Sequence, residues 1–323
     1  MASDFSSIHP ELVSVAKLLP QLTYTPRSYK FLRLFMWLAG RPKTNPSVQI
    51  ERHSIQSQDG THHIRLRVYK PSTMTAPAPV LVWMHGGGYV VGTPELSDPW
   101  SLQFVHELGI SIVSVDYRLA PENPFPAALD DAYCALKWVH DHATHLGFDA
   151  DRIAIGGESA GGGLAAALAQ LAHDRAEVKP ILQLLVYPML DDRTGADPKP
   201  EEKNHIVWNP ASNRFGWESY LHQSPGLDLV PAYSVAARRE DLSGLPPAWI
   251  GVGTEDLFFA ENLAYAKRLQ ACGVDCDLVT VPGGFHGFDG TSPQLPVSQS
   301  FRRAQISAFN KYLFSTDGSK DTK

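Results

Sequence analysis

Arg152-Ile153-Ala154-Ile155-Gly156-Gly157-Glu158-Ser159-Ala160-Gly161-Gly162-Gly163-Leu164 is the stretch that decides the architecture. A short apolar run of the buried kind stops at Gly156, and a Gly/Ala-rich helical stretch runs from Ala160 to His173. Between them, Gly157-Glu158-Ser159-Ala160-Gly161 fits a strand-to-helix turn sharp enough to lift the Ser159 Oγ above the strand ends. Glycines two residues to either side keep Cβ atoms out of that turn. The helix N-terminus adds amide donors and a dipole that favours developing negative charge. The same glycines spell Gly161-x-Gly163-x-x-Ala166, but that string lies inside the helix, which argues against a dinucleotide site.

Outward from this turn the chain alternates. Continuous apolar runs at Val80–Met84, Ile110–Val115, Ile153–Ile155, Ile181–Val186, Ala248–Val252 and Asp277–Val281 predict buried parallel strands. Helical stretches at Ser97–Leu108, Ala127–His145, Ala160–His173, Ala260–Cys272 and Ser298–Tyr312 separate them. Upstream, Val48–Ile55 and Ile64–Tyr69 alternate apolar with polar residues, as half-buried antiparallel strands do, and Asp59-Gly60 reads as a hairpin turn. The expectation is an α/β fold: a mostly parallel central sheet of about eight strands flanked by helices on both faces. Residues 1–47 read as short helices broken by Pro10, Pro20, Pro26 and Pro42. Residues 190–225 interrupt the alternation with Trp208, Phe215, Trp217 and Tyr220. The expected organisation is a core of 48–189 and 226–315, cap segments at 1–47 and 190–225, and a disordered polar tail at 316–323.

The chain has 323 residues, 28 Lys+Arg against 34 Asp+Glu, and a formal net charge of −6. With 43% apolar and 19% charged residues it carries enough apolar surface for a large core, which excludes global disorder. The acidic balance and the lack of a Lys/Arg-rich block argue against nucleic-acid binding. Three cysteines, Cys134, Cys272 and Cys276, are no disulfide framework, and Cys272-x-x-x-Cys276 has no second ligand pair for a metal. The N-terminus lacks the basic start and apolar run of a secretory signal, so a cytoplasmic location is expected. Phe31–Ala39, the longest apolar run, is interrupted by Arg33 and too short to span a bilayer, so no stable membrane insertion is expected. Flanked by Arg27, Lys30, Arg33 and Arg41, the segment Tyr29–Ala39 has the make-up of a basic amphipathic helix on a membrane surface. The preferred reading is a helix packed over the body of the protein, because lasting attachment takes two signals.

Chemistry gathers at the strand ends. His85-Gly86-Gly87-Gly88-Tyr89 follows the run Val80–Met84, and such a glycine run lets backbone N–H groups turn toward an oxyanion together with the N–H of Ala160. His85 is expected to organise that loop rather than to titrate. A Ser nucleophile needs a base and an orienting acid, in the chain order Ser, acid, His. The strand Ala248–Val252 ends in two carboxylates, Glu255 and Asp256, and His286 follows the next strand and the turn Pro282-Gly283-Gly284. The register of that order favours Asp256, although a helix N-cap would also suit it. His140, His142 and His145 share a helix without metal-ligand spacing and read as a solvated face.

Four blocks now resemble the hormone-sensitive-lipase-like branch of the α/β-hydrolases: His85-Gly86-Gly87-Gly88, Tyr117-Arg118-Leu119-Ala120-Pro121-Glu122, Gly157-Glu158-Ser159-Ala160-Gly161-Gly162 and His286-Gly287-Phe288. The resemblance spans residues 48 to about 313 and implies the α/β-hydrolase fold with a helical cap. It implies Ser159 as nucleophile, with oxyanion donors on the backbone of Gly87, Gly88 and Ala160. The branch usually carries Asp or Thr where Glu158 stands, and Glu158 keeps the acid. Where the family has Asp-Pro-Leu-Arg-Asp-Glu, this chain reads Asp256-Leu257-Phe258-Phe259-Ala260-Glu261, retaining the first Asp and the Glu. In the Tyr117–Glu122 block, Arg118 and Glu122 are expected to tie a buried loop together.

The resemblance implies a serine carboxylesterase acting on small-molecule esters of short to medium acyl length through an acyl-enzyme. It needs neither metal nor organic cofactor, and it allows a homodimer. Tyr89, Phe35, Trp208, Phe215 and Phe285 are the expected lining of the substrate pocket. An amidase, lactonase or deacetylase would use the same triad. A non-catalytic receptor on this fold would dispense with the histidine, which is present here as His286.

Overall fold

β1 (Val48–Gln56), β2 (His63–Pro71), β3 (Ala78–Met84), β4 (Ser111–Asp116), β5 (Phe148–Glu158), β6 (Gln183–Val186), β7 (Ala248–Gly253) and β8 (Cys276–Val281) form one sheet in the order β1-β2-β4-β3-β5-β6-β7-β8. This computed structural model describes residues 5–39, 42–74, 77–196 and 205–314, and the tail expected at 316–323 lies outside them. β1 pairs antiparallel with β2, and β2 with β4; all other pairings are parallel. Side-chain pattern explains the division. β1 keeps exposed positions along its length, whereas β3 and β7 are buried at every residue, as strands covered on both faces must be.

Helices α1 (Val13–Leu18) and α2 (Tyr29–Ala39) precede the sheet. α3 (Asp98–Leu108), α4 (Ala127–Asp141), α5 (Ala143–Leu146), α6 (Ala160–Arg175), α7 (Pro210–Leu221), α8 (Phe259–Ala271), α9 (Phe288–Thr291) and α10 (Pro296–Leu313) follow in the chain. The period of two along β3 sorts the core into two layers. Val80, Val82 and Met84 pack with Leu136 of α4 and Leu164 of α6, while Leu81 and Trp83 pack with Phe104 of α3 and Phe309 of α10. A buried ion pair fastens β2 to α3: Arg67 Nε and Nη2 each lie 2.9 Å from the Asp98 carboxylate, which also accepts from Tyr69 Oη at 2.6 Å.

Several elements differ from the sequence reading: β8, expected as a buried strand, is the half-buried strand at the sheet edge, and β5 begins at Phe148, five residues before the expected run. The β1–β2 connection is a six-residue loop rather than a two-residue hairpin, since the last ladder pair is Gln56 with His63. Asp59 organises it by accepting from Ser57 Oγ and the Thr61 N–H, at 2.6 and 3.0 Å, so polar groups close the loop on themselves. The long helix expected at Ala127–His145 breaks at His142, whose ring Nδ1 lies 2.9 Å from the Trp138 carbonyl and whose backbone has left helical angles.

The N-terminal segment packs in two places. His9 N donates to Gly283 O, Ser7 Oγ to Glu255 and Val297 N to Glu11, each at 2.9 Å, so residues 7–12 sit on the chain following β7 and β8 and on the start of α10. Farther on, Tyr24 N donates to Ser212 Oγ at 3.0 Å and the Tyr29 ring meets Phe215 at 5.7 Å, which seats α2 and the chain just before it against α7.

Candidate active site

Ser159 sits between the last residue of β5 and the first of α6, at φ +55° and ψ −121°. A non-glycine residue rarely holds positive φ, and its strain persists only where surrounding bonds over-determine it. Here Ser159 N donates to Val186 O at 2.9 Å, while Ser159 O accepts from Met189 N at 2.9 Å and Gly163 N at 3.0 Å. The turn also needs close backbone approach. A Cβ on Gly157 would lie 2.3 Å from Gly161 O, and one on Gly161 would lie 2.1 Å from Met84 O.

His286 Nε2 lies 2.9 Å from Ser159 Oγ, and its Nδ1 lies 2.8 Å from Asp256 Oδ2. The other Asp256 oxygen accepts from Phe258 N at 2.9 Å, and all three side chains are buried. Glu255, the neighbouring carboxylate, instead accepts from Ser7 Oγ. The imidazole is held edge-on by Phe258 at 5.1 Å and Tyr187 at 4.9 Å. Tyr187 Oη donates to Asp289 Oδ1 at 3.0 Å. Burial pushes the Asp289 carboxyl above its ordinary range and the Tyr187 hydroxyl well above its own. Sequence reasoning missed Tyr187 and Asp289. Neither stands in a motif, and their relation to His286 arises from packing.

The glycine loop meets the serine turn from the end of β3. Val90 N and Val91 N both donate to Gly87 O at 3.0 Å, closing a turn in which Gly87 and Gly88 hold φ +122° and +59°. Among the described residues, neither Gly87 N–H nor Gly88 N–H donates to a backbone carbonyl. Ala160 opens α6, so its N–H has no acceptor within the helix. His85 is fully buried, with Nδ1 2.8 Å from Gly86 O and its ring stacked on Tyr117 at 4.3 Å. Burial lowers its pKa, leaving a neutral imidazole that shapes the loop. Glu158 Oε1 accepts from Ser97 Oγ at 3.2 Å and Gly86 N at 3.4 Å, joining the serine turn to the glycine loop, and burial raises its pKa.

Of the residues expected to line a pocket, Trp208 packs directly on the glycine loop: a Cβ on Gly88 would lie 2.0 Å from its ring. Tyr89 is buried and stacked on Tyr220 at 3.9 Å, and Phe215 packs against Tyr29. Phe35 and Phe285 depart from the expectation. Phe35 is 57% exposed on the outer side of α2, because Tyr29 and Leu32 occupy the inner side. Phe285 is fully buried in the core layer shared with Phe288 and Phe301, so it packs the fold beneath His286. Arg118 and Glu122 do not pair with each other. Arg118 holds Asp131 at 2.9 Å, and Glu122 reaches Arg33 of α2 at 3.0 Å. Among the described residues no group of three or more His, Cys, Asp or Glu side chains is arranged to hold a metal ion.

This arrangement has counterparts. Residues 81–290 match a family described as alpha/beta hydrolase fold. The carboxylesterase NlhH of Mycobacterium tuberculosis is 36% identical over 280 residues, covering 84% of this chain and 85% of its own. The esterase LipI of the same organism is 32% identical over 306 residues, covering 92% of each chain. A bacterial heroin esterase superposes with a TM-score of 0.89 at 33% identity, over 96% of this chain and 99% of its own. With its sheet order, sharp serine turn and glycine loop, the chain belongs to the α/β-hydrolase family, in its hormone-sensitive-lipase-like carboxylesterase branch.

Proposed function

We propose that this chain hydrolyses short- to medium-chain carboxylic esters through an acyl-enzyme on Ser159. The observation that carries the reading is the hydrogen-bonded line Asp256–His286–Ser159, at 2.8 and 2.9 Å. In the tautomer that suits both bonds, Nδ1–H donates to Asp256 and Nε2 accepts from Ser159 Oγ–H. As Oγ attacks the ester carbonyl, His286 takes its proton, and Asp256 stabilises the imidazolium. The N–H groups of Gly87, Gly88 and Ala160 face the developing oxyanion, each worth about 3 kcal/mol of transition-state stabilisation. Collapse of the tetrahedral intermediate breaks the C–O bond, and His286 returns the proton to the leaving alcohol. Water then attacks the acyl-enzyme by the same route and releases the acid.

The stretch from Tyr24 through α2 and the segment around Trp208 and α7 form a cap over this centre, joined by the Tyr24–Trp208 and Tyr29–Phe215 ring contacts. The acyl-length preference rests on Trp208 against Gly88 and on the stacked Tyr89 and Tyr220, which fill space that a long chain would need. The test is hydrolysis of a series of chromogenic esters, with matched amides and lactones. Ser159→Ala is expected to lower kcat by about four to six orders of magnitude without changing the thermal melt. Near-normal turnover by that variant, or an optimum on long-chain emulsions, contradicts the proposal.

A further inference from the structure

Five of the ten large apolar side chains exposed among the described residues belong to α2: Phe31, Leu34, Phe35, Trp37 and Leu38, each between 53% and 71% exposed. At 100° per residue they fall with Lys30 on one continuous outer arc of about 160°. The opposite side of the helix is firmly seated. Tyr29 and Leu32 are buried, and Arg33 donates to Val90 O at 2.8 Å, to Ala120 O at 3.0 Å and to Glu122 at 3.0 Å. The exposure is therefore a built feature of a docked helix, and such a patch on a folded surface marks a contact site.

Charge says what the contact is. The whole chain is net negative at −6, yet residues 27–43 contain Arg27, Lys30, Arg33, Arg41 and Lys43 and no Asp or Glu. Glu122 answers Arg33, whereas the exposed Arg27 and Lys30 make no ion pair among the described residues. A second copy of this chain meeting the patch across a two-fold axis would bring these cations toward each other. An anionic lipid surface accepts both halves: phosphates for the cations and the acyl boundary for the aromatic and Leu side chains.

We propose that the outer face of α2 docks the protein peripherally on an anionic lipid surface, with Phe31, Phe35, Trp37 and Leu38 at the acyl boundary and Arg27 and Lys30 on lipid phosphates. The helix lies in the interface and does not cross it, and among the described residues no helix is long and apolar enough to span a membrane. This docking is independent of the ester chemistry proposed for Ser159. The test is co-sedimentation of the full chain with phosphatidylcholine vesicles, pure or containing one third phosphatidylglycerol, at low and high salt. Binding to the anionic vesicles at low salt is expected to be at least about thirtyfold tighter than to the pure ones. Arg27→Gln/Lys30→Gln should weaken it about thirtyfold on anionic vesicles only. Phe31→Ser/Trp37→Ser should weaken it about tenfold or more, with unchanged melting temperature in both variants. Absence of anionic-vesicle binding, salt-insensitive binding, or variants that bind like the wild type overturns the proposal. So does a concentration-dependent dimer abolished by Phe31→Ser/Trp37→Ser, which would give the face to a second copy.

Discussion

Gly161 illustrates how little freedom the serine turn has. A methyl group there would meet the carbonyl oxygens of Met84 and His85 at 2.1 and 2.4 Å, and backbone cannot swing aside as a flexible side chain can. Gly161→Ala must push the end of β3, and the glycine loop with it, away from Ser159. The expected cost is about 1–3 kcal/mol of stability, with a loss of about a hundredfold in ester kcat/KM because the loop is misplaced. Melting curves and kinetics on one preparation check this, and a variant with wild-type values for both contradicts it. Glycine at this position was legible from the spacing of the serine turn, but the contact that demands it, with the Met84 and His85 carbonyls at the end of β3, was not. The triad order favoured Asp256 over Glu255, but adjacent carboxylates look alike in sequence, and it is the course of the chain after β7 that turns one to His286 and the other to Ser7. Phe35 and Phe285 were misplaced for a related reason, since an aromatic residue carries no mark of which side of its element faces the site.

Helix boundaries were mostly legible from periodicity, and α2 begins and ends at the residues the pattern marks. The break at His142 was not, because there the backbone leaves helical angles while the imidazole and the backbone N–H share the Trp138 carbonyl, and periodicity does not record this. Between elements, Glu261 of α8 is the retained acid of the motif after β7, and the structure gives it a tying role. It accepts from Leu190 N at 2.7 Å and from Thr194 Oγ1, fastening α8 to the chain that leaves β6. Burial, with Asp191 nearby, holds its pKa well above the ordinary value of 4.5. An acid whose folded pKa exceeds its unfolded one favours the fold while protonated. That contribution is complete below about pH 4.5 and is lost as pH rises toward the folded pKa. Glu261→Gln removes this dependence, so the variant's stability relative to wild type should climb with pH, by up to about 1.4 kcal/mol per unit within the window. Melts from about pH 5 to 9 read the effect, and a difference that stays flat over that range contradicts it.

Across the whole molecule, distant segments support the same few loops. Leu12 is fully buried in the core layer with Phe301 and Phe309, while His9 beside it holds the Gly283 carbonyl two residues before Phe285. Leu12→Ala is expected to cost about 3 kcal/mol. Because this docking steadies the chain around Asp256 and His286, ester turnover should fall well below the melting temperature. Calorimetry with parallel assays tests both parts, and an unchanged melt would show that the N-terminal segment is a passive appendage. Apolar runs, alternation and glycine spacing act over a few residues, so the eight strands, the serine turn and the glycine loop could all be read in the chain itself. The insertion of β4 between β2 and β3, the double docking of the N-terminal segment, and the packing of Tyr187 and Asp289 beside His286 could not. Those were decided by the fold, because which strand ends and loops come together depends on how two core layers pack across one sheet, and no local pattern records that.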